Sequence, residues 1–237
     1  MIHFANSFKT PLGEVLRDGQ QSSTIFDLEV ISQTGETTTI SEQPCCYVYP
    51  HTVVAGTARI ASILTEHQRL LDAGKDPGKL PAKYKRLNAI YDTWDSAQLK
   101  TLTLTDEEKI LIDRYGIWAY GFFCYSAPKV FDRYNDDTAR LRKGLRIIRG
   151  GLQLATNAMP QGELITIPLT SNIGYQNQSH IVVHLDNADP DLGRKGFQPE
   201  LQKLGERIAV GIVTKLKHWR HLLLTDRGPV LGTFINI

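Results

Sequence analysis

The residues best suited to chemistry are Gly193, Arg194, Lys195, Gly196, Phe197 and Gln198, in a loop between an apolar run and a long amphipathic stretch. Glycines let a backbone come close to a ligand. A helix opening just downstream favours anions at its N-terminus, and two cationic side chains add to that field. This chemistry suits a phosphate group. Lys195 is the strongest candidate, because an ammonium is a compact charge that can approach phosphate oxygens. Gly193, Arg194 and Gln198 would share the same anion. The plainer alternative is a solvated basic turn ahead of a helix.

A second group is Arg140, Arg142, Lys143, Arg146 and Arg149, near Arg133. Cations so dense on one helix could contact a phosphodiester backbone. A solvated helix face is the alternative. Lys215, Lys217, His218, Arg220 and His221 form a similar cluster, and cations at the end of a helix also complement its dipole. His180 and His184 are four apart in one short strand, so they share a face. A metal pair is conceivable there, but core histidines are the better reading, because no third ligand is evident. A metal-dependent nuclease would have to draw on Asp27 and Glu29 with Lys195, at poor spacing. Ser126 and the cysteines lack any nucleophile-elbow context.

The elements that must position these groups can be read from pattern. The chain has 237 residues and a net charge of +2. That length allows one large domain or two small ones, divided here as 1–114 and 115–237. So balanced a charge does not mark a dedicated nucleic-acid binder. Cys45, Cys46 and Cys124 make no disulfide framework, so reduced thiols and a cytoplasmic location are expected. Lys9, Glu14, Arg17 and Asp18 interrupt the first twenty residues, which therefore do not read as a signal peptide. No apolar run approaches the roughly 20 residues of a membrane span.

Residues 24–32 and 37–40 read as a β-hairpin. A helix is expected over 54–73, with Ile60, Ile63, Leu64 and Leu71 on one face and Gly74 as its stop. Residues 74–81 read as a loop. A second helix is expected over 82–98, carrying Tyr84, Leu87, Tyr91 and Trp94. A third starts at the capping box Thr105–Glu108. Ile117 to Tyr125 reads as a buried strand, and 136–149 as a helix. Strands are expected at 152–157, 163–169 and 180–185, with a turn at Met159–Gly162 and a polar loop over 170–179. The last helix, 200–224, is apolar at Leu201, Leu204, Ile208, Ile212, Leu216, Trp219 and Leu223. The expected class is α/β (α+β), a mixed sheet with packed helices.

Over about 115–224 this layout resembles the transducer region of GHKL-type ATPases, the gyrase, MutL and MORC type. The resemblance is carried by the strands GELITIPL and HIVVHL, the segment Gly193-Arg194-Lys195-Gly196-Phe197-Gln198 before a long helix, and WAYGFFCYS followed by Phe131 and Asn135. In that family a loop lysine of the transducer reaches the γ-phosphate of ATP held by a separate domain. The resemblance implies that role for Lys195, with ATP and Mg as cofactors, a dimer or other homo-oligomer, and action on DNA or other proteins. The family's nucleotide pocket has no counterpart: there is no Asp-x-Gly-x-Gly, and no Walker motif replaces it. The chain is therefore expected not to hydrolyse ATP alone. The pocket would come from a missing segment or a partner. The rival expectation is a non-catalytic nucleic-acid-binding accessory protein that works through Arg140–Arg149.

Overall fold

The structure is a computed structural model. It describes residues 25–31, 37–44, 49–52, 54–76, 80–124, 128–135, 148–156, 159–169, 173–190 and 196–223, with side-chain surroundings from 49 onward. Strands β1 (Ile25–Ile31) and β2 (Thr37–Pro44) pair antiparallel as a separate two-stranded sheet, the hairpin expected from the sequence.

The main sheet has six strands: β3 (Thr57–Arg59), β4 (Ala89–Trp94), β5 (Ile117–Cys124), β6 (Gly151–Thr156), β7 (Met159–Ile165) and β8 (Ser179–Leu185). Their order is β3-β4-β5-β8-β6-β7. β3 runs parallel to β4, and β6 parallel to β8; the other pairs are antiparallel. The expected α/β class with a mixed sheet is what the chain adopts. Position 114/115 falls just before β5, and the sheet is continuous across it through the β4–β5 pair.

Every residue of β5 is buried. Side chains of a strand alternate between faces, so a run of apolar residues on both faces needs a layer on each side. On one face, Ile117, Ala119 and Phe123 join Ile181, Val183 and Leu185 in the larger core. On the other, Trp118, Tyr120, Phe122 and Cys124 join Val182, Tyr49 and Phe131 in a smaller one.

The helices are α1 (Ile60–Asp72), α2 (Ser96–Leu99), α3 (Asp106–Arg114), α4 (Gly174–Gln178) and α5 (Pro199–Lys217), the last continued by a 3-10 turn over His218–Leu222. Among the described residues, no helix is long and apolar enough to cross a membrane. α5 buries Leu201, Leu204, Ile208, Ile212 and Leu216, the stripe read from the sequence. Each such side chain contributes about 1.5–3 kcal/mol of transfer free energy. A side chain at Gly121 would place its Cβ 2.7 Å from Ile212 and 2.8 Å from Trp94, so glycine in β5 lets α5 sit close to the sheet. α3 opens on the expected capping box, Thr105 with Glu108.

Four expectations need correction. Residues 82–98 are not one helix but a 3-10 turn (Ala82–Tyr84), strand β4 and helix α2. Tyr84, Leu87, Tyr91 and Trp94 have helical spacing, yet 89–94 is drawn into the sheet by six partners on β5. The Asp95–Gln98 capping box then starts α2 inside the supposed helix. In 54–73, Thr57–Arg59 is β3, so the helix begins only at Ile60. Its buried face is Ile60, Ile63 and Leu70, while Leu64 and Leu71 are 43% and 46% exposed. Met159–Gly162 lies within β7 rather than in a turn, and this strand ends at Ile165. Pro160 is tolerated because β7 is an edge strand, and Gly162 takes φ +69° where the β6–β7 register shifts. The polar stretch 170–179 contains α4. The helix expected over 136–149 lies, apart from 148 and 149, outside the described residues.

Candidate functional site

The loop singled out by the sequence joins the end of β8 to the start of α5. Gly193, Arg194 and Lys195 lie outside the described residues. The two ends of the loop are described, and both are pinned. The Asp186 carboxylate accepts a hydrogen bond from Trp118 Nε1 at 2.8 Å. The Asn187 amide donates to the Tyr115 carbonyl at 3.2 Å, and the Ala188 amide to Leu185 at 3.1 Å. The Asn187 side chain packs on Gly116, where a Cβ would lie 2.9 Å from its Nδ2. At the far end Phe197 is 7% exposed and belongs to the main core. Gly196 has φ +148°, with open space where a Cβ would stand. Gln198 is exposed at the N-cap of α5 and makes no side-chain cap bond; Pro199 opens the helix.

Beside the pinned end runs a ladder of aromatic rings and histidines on the smaller-core face. Trp118 stacks on His184, with centroids 3.8 Å apart and planes 2° from parallel. A 2.8 Å hydrogen bond joins His184 Nε2 to the Tyr49 hydroxyl. Tyr49 meets Tyr120 edge to face at 4.6 Å. The Tyr120 hydroxyl lies 3.1 Å from His51 Nδ1, and His51 stacks on Tyr91 at 4.0 Å. Burial, and then the Arg59 charge, push the His51 pKa down to about 4. Arg59 Nε donates to Asp92 at 2.9 Å, and Asp92 accepts the Ala61 amide at 3.0 Å. That carboxylate caps α1, whose own N-cap residue, Arg59, makes no side-chain cap bond. The ladder thus runs from the loop to the N-terminus of α1.

Sequence reasoning missed the ladder, because its members come from 49–51, 91, 118–120 and 184–186. The one visible signal was the aromatic residue at every second position of β5, Trp118, Tyr120 and Phe122.

Of the basic group, Arg140, Arg142, Lys143 and Arg146 lie outside the described residues, and Arg149 is exposed. The feet of their segment are fixed. Asn135, fully buried, donates to the carbonyls of Phe131 and Ile148, both at 2.7 Å. It accepts the Ile148 amide at 3.2 Å. His180 Nδ1 donates to the Arg149 carbonyl at 2.7 Å. Burial lowers the His180 pKa to about 4, against the opposing effect of that hydrogen bond. His180 and His184 share the smaller-core face, as their spacing requires, and both are buried. Among the described residues, no group of three or more His, Cys, Asp or Glu is arranged to hold a metal ion. Burial drives the Cys124 pKa far up, which keeps the thiol protonated.

No family model, curated protein or solved structure matches this chain.

Proposed function

We propose that this chain is the transducer portion of a GHKL-type ATPase, relaying nucleotide state through Lys195 from an ATP pocket in another domain or subunit. One observation carries the reading. The strand-to-helix loop is anchored at both of its described ends, by Trp118 on Asp186 and by the buried Phe197. A lysine that senses a phosphate on another domain needs such a frame, because its charge must be held in place before the ligand arrives. α5, seated along the sheet, would carry a movement of the loop through the length of the domain.

In this reading Arg194, Gly193 and Gln198 flank the triphosphate, and Mg and ATP bind in the partner pocket. The assembly is a homo-oligomer. The test is ATP turnover by the native assembly containing Lys195→Ala. Loss of turnover with unchanged folding and unchanged assembly is expected. Turnover equal to that of the unsubstituted assembly would remove the assignment.

A second reading, a non-catalytic nucleic-acid-binding accessory protein, draws on the pinning of the basic segment by Asn135 and His180 beside the exposed Arg149. It requires affinity for DNA or RNA that falls steeply with salt. Binding that is insensitive to salt, or no binding, would count against it.

A further inference from the structure

On the side of α5 away from the sheet, a cleft of ≈ 590 Å³ runs between this helix and the turn at Thr101–Thr103. Its floor is apolar, made by Leu102 and Val210 with Gly211 between them. Gly211 lets the turn and helix approach closely, since a Cβ there would lie 3.0 Å from both Leu102 methyl carbons. Cations stand around this floor. Arg207 is paired with Glu108 at 2.7 Å. Among the described residues Lys215 reaches only the neutral Thr101 hydroxyl, at 3.0 Å. Lys203 is exposed and makes no ion pair among the described residues. Glu206, a carboxylate in the lining, accepts from Gln202 at 3.1 Å. Neither lysine is ion-paired among the described residues, so with Glu206 counted the cleft keeps an excess of one positive charge, its lysines standing toward the two ends of an apolar trough.

We infer that this cleft is a docking groove for an extended acidic segment of a partner protein. Charge complementarity selects the occupant. Lys203 and Lys215 are about three helical turns apart, roughly 18 Å along the axis at about 1.5 Å per residue. An extended chain covers that distance in about six residues. The fitting segment has an acidic residue at each end and, two residues in from the Lys215 end and so on the same face, an apolar residue whose side chain lies over Gly211 against Leu102 and Val210. Lys203 and Lys215 hold its carboxylates, and Thr103 and Thr214 on the rim offer hydroxyls to its backbone. This groove is independent of the loop lysine and its nucleotide.

The test is a chemical-shift titration of the isotope-labelled full chain with the peptide Glu-Ser-Ser-Ser-Leu-Ser-Glu. The same peptide with lysine at both ends serves as control, and a charge-reversed chain, Lys203→Glu with Lys215→Glu, as variant. Shifts confined to residues 101–103 and 203–215 are expected. The charge-reversed chain, both of whose sites are exposed so that folding is retained, should bind about tenfold more weakly or worse. Weakening with salt is also expected. No shifts at millimolar acidic peptide would overturn the inference. So would equal binding of the lysine peptide, or equal binding by the variant. Competition by a single-stranded oligonucleotide at the same affinity would overturn it too, as it would mark a general anion surface.

Discussion

Trp118 and His184 face each other across the β5–β8 pair with their rings 3.8 Å apart, while the Trp118 indole N–H holds Asp186 at 2.8 Å. One side chain thus fixes both a buried histidine and the first residue of the candidate loop. Trp118→Phe keeps an aromatic ring but deletes the donor. It should cost about 1.5–3 kcal/mol, the net worth of a hydrogen bond to a charged group, together with the packing lost with the larger buried ring. Urea denaturation would measure the loss. Hydrogen exchange should rise at Asn187 and Ala188, and unchanged protection there would show that Asp186 is held by other means.

Asn135→Ala removes three hydrogen bonds at a fully buried position and leaves the Phe131 and Ile148 backbone groups without them. Orphaned buried groups cost about 1–3 kcal/mol each. Destabilisation of about 3 kcal/mol is expected, with faster proteolytic cleavage within 136–147. Asn135→Asp, which sets a carboxylate oxygen against the Phe131 and Ile148 carbonyls at a fully buried position, should cost at least as much. A Tm equal to that of the parent chain for Asn135→Ala would contradict the clamp.

Two glycine substitutions should separate by mechanism. A Cβ on Gly150 would lie 2.6 Å from the Asn177 carbonyl oxygen and 2.7 Å from its Cα, which are backbone atoms that cannot swing aside. A Cβ on Gly205, inside α5, would meet the Leu154 Cδ2 methyl at 2.7 Å and otherwise nothing nearer than 3.8 Å. That methyl can rotate away, and a helix gains about 1 kcal/mol from Ala in place of Gly. Gly150→Ala should therefore cost about 2 kcal/mol or more, and Gly205→Ala should be close to neutral. Denaturant midpoints test the order, and a reversed order would be incompatible with this packing.

His180 and His51 should make the fold acid-sensitive. Both have folded pKa values near 4, against 6.5 for an ordinary imidazole. Between those values the unfolded chain binds more protons, so stability is fully present above about pH 6.5 and declines as pH falls toward 4. The slope for His180 reaches about 1.4 kcal/mol per pH unit. Denaturation free energies measured at steps between pH 7 and pH 4 give the slope. His180→Asn, which keeps a donor for the Arg149 carbonyl, should flatten it.

Cys124 should resist alkylation in the native chain at pH 8 and react once the chain is unfolded. It is fully buried, its thiol lies 3.6 Å from the Gln178 carbonyl, and its pKa is far above the ordinary range. Peptide mapping after iodoacetamide treatment distinguishes it from Cys45 and Cys46. Modification of native Cys124 as fast as in denaturant would mean that the smaller core opens readily.

The sequence by itself determined the elements whose signals are local. The stripe of α5 repeats over four turns, the Thr105–Glu108 box satisfies its own backbone, and β5 is apolar at both parities. The spacing of His180 and His184 likewise put them on one face. Tertiary structure alone decided that Ala89–Trp94 is a strand, because its hydrogen-bond partners are on β5, some 25 to 35 residues further along the chain. It also decided which side of α1 is buried: Leu70 and Leu71 are equivalent as isolated side chains, and only the position of the sheet selects Leu70. The anchors of the candidate loop are of the same kind. Trp118 and Phe197 are ordinary apolar residues in the sequence, and their role arises where β5, β8 and α5 pack, since burial and directed hydrogen bonds depend on neighbours that composition and spacing do not specify.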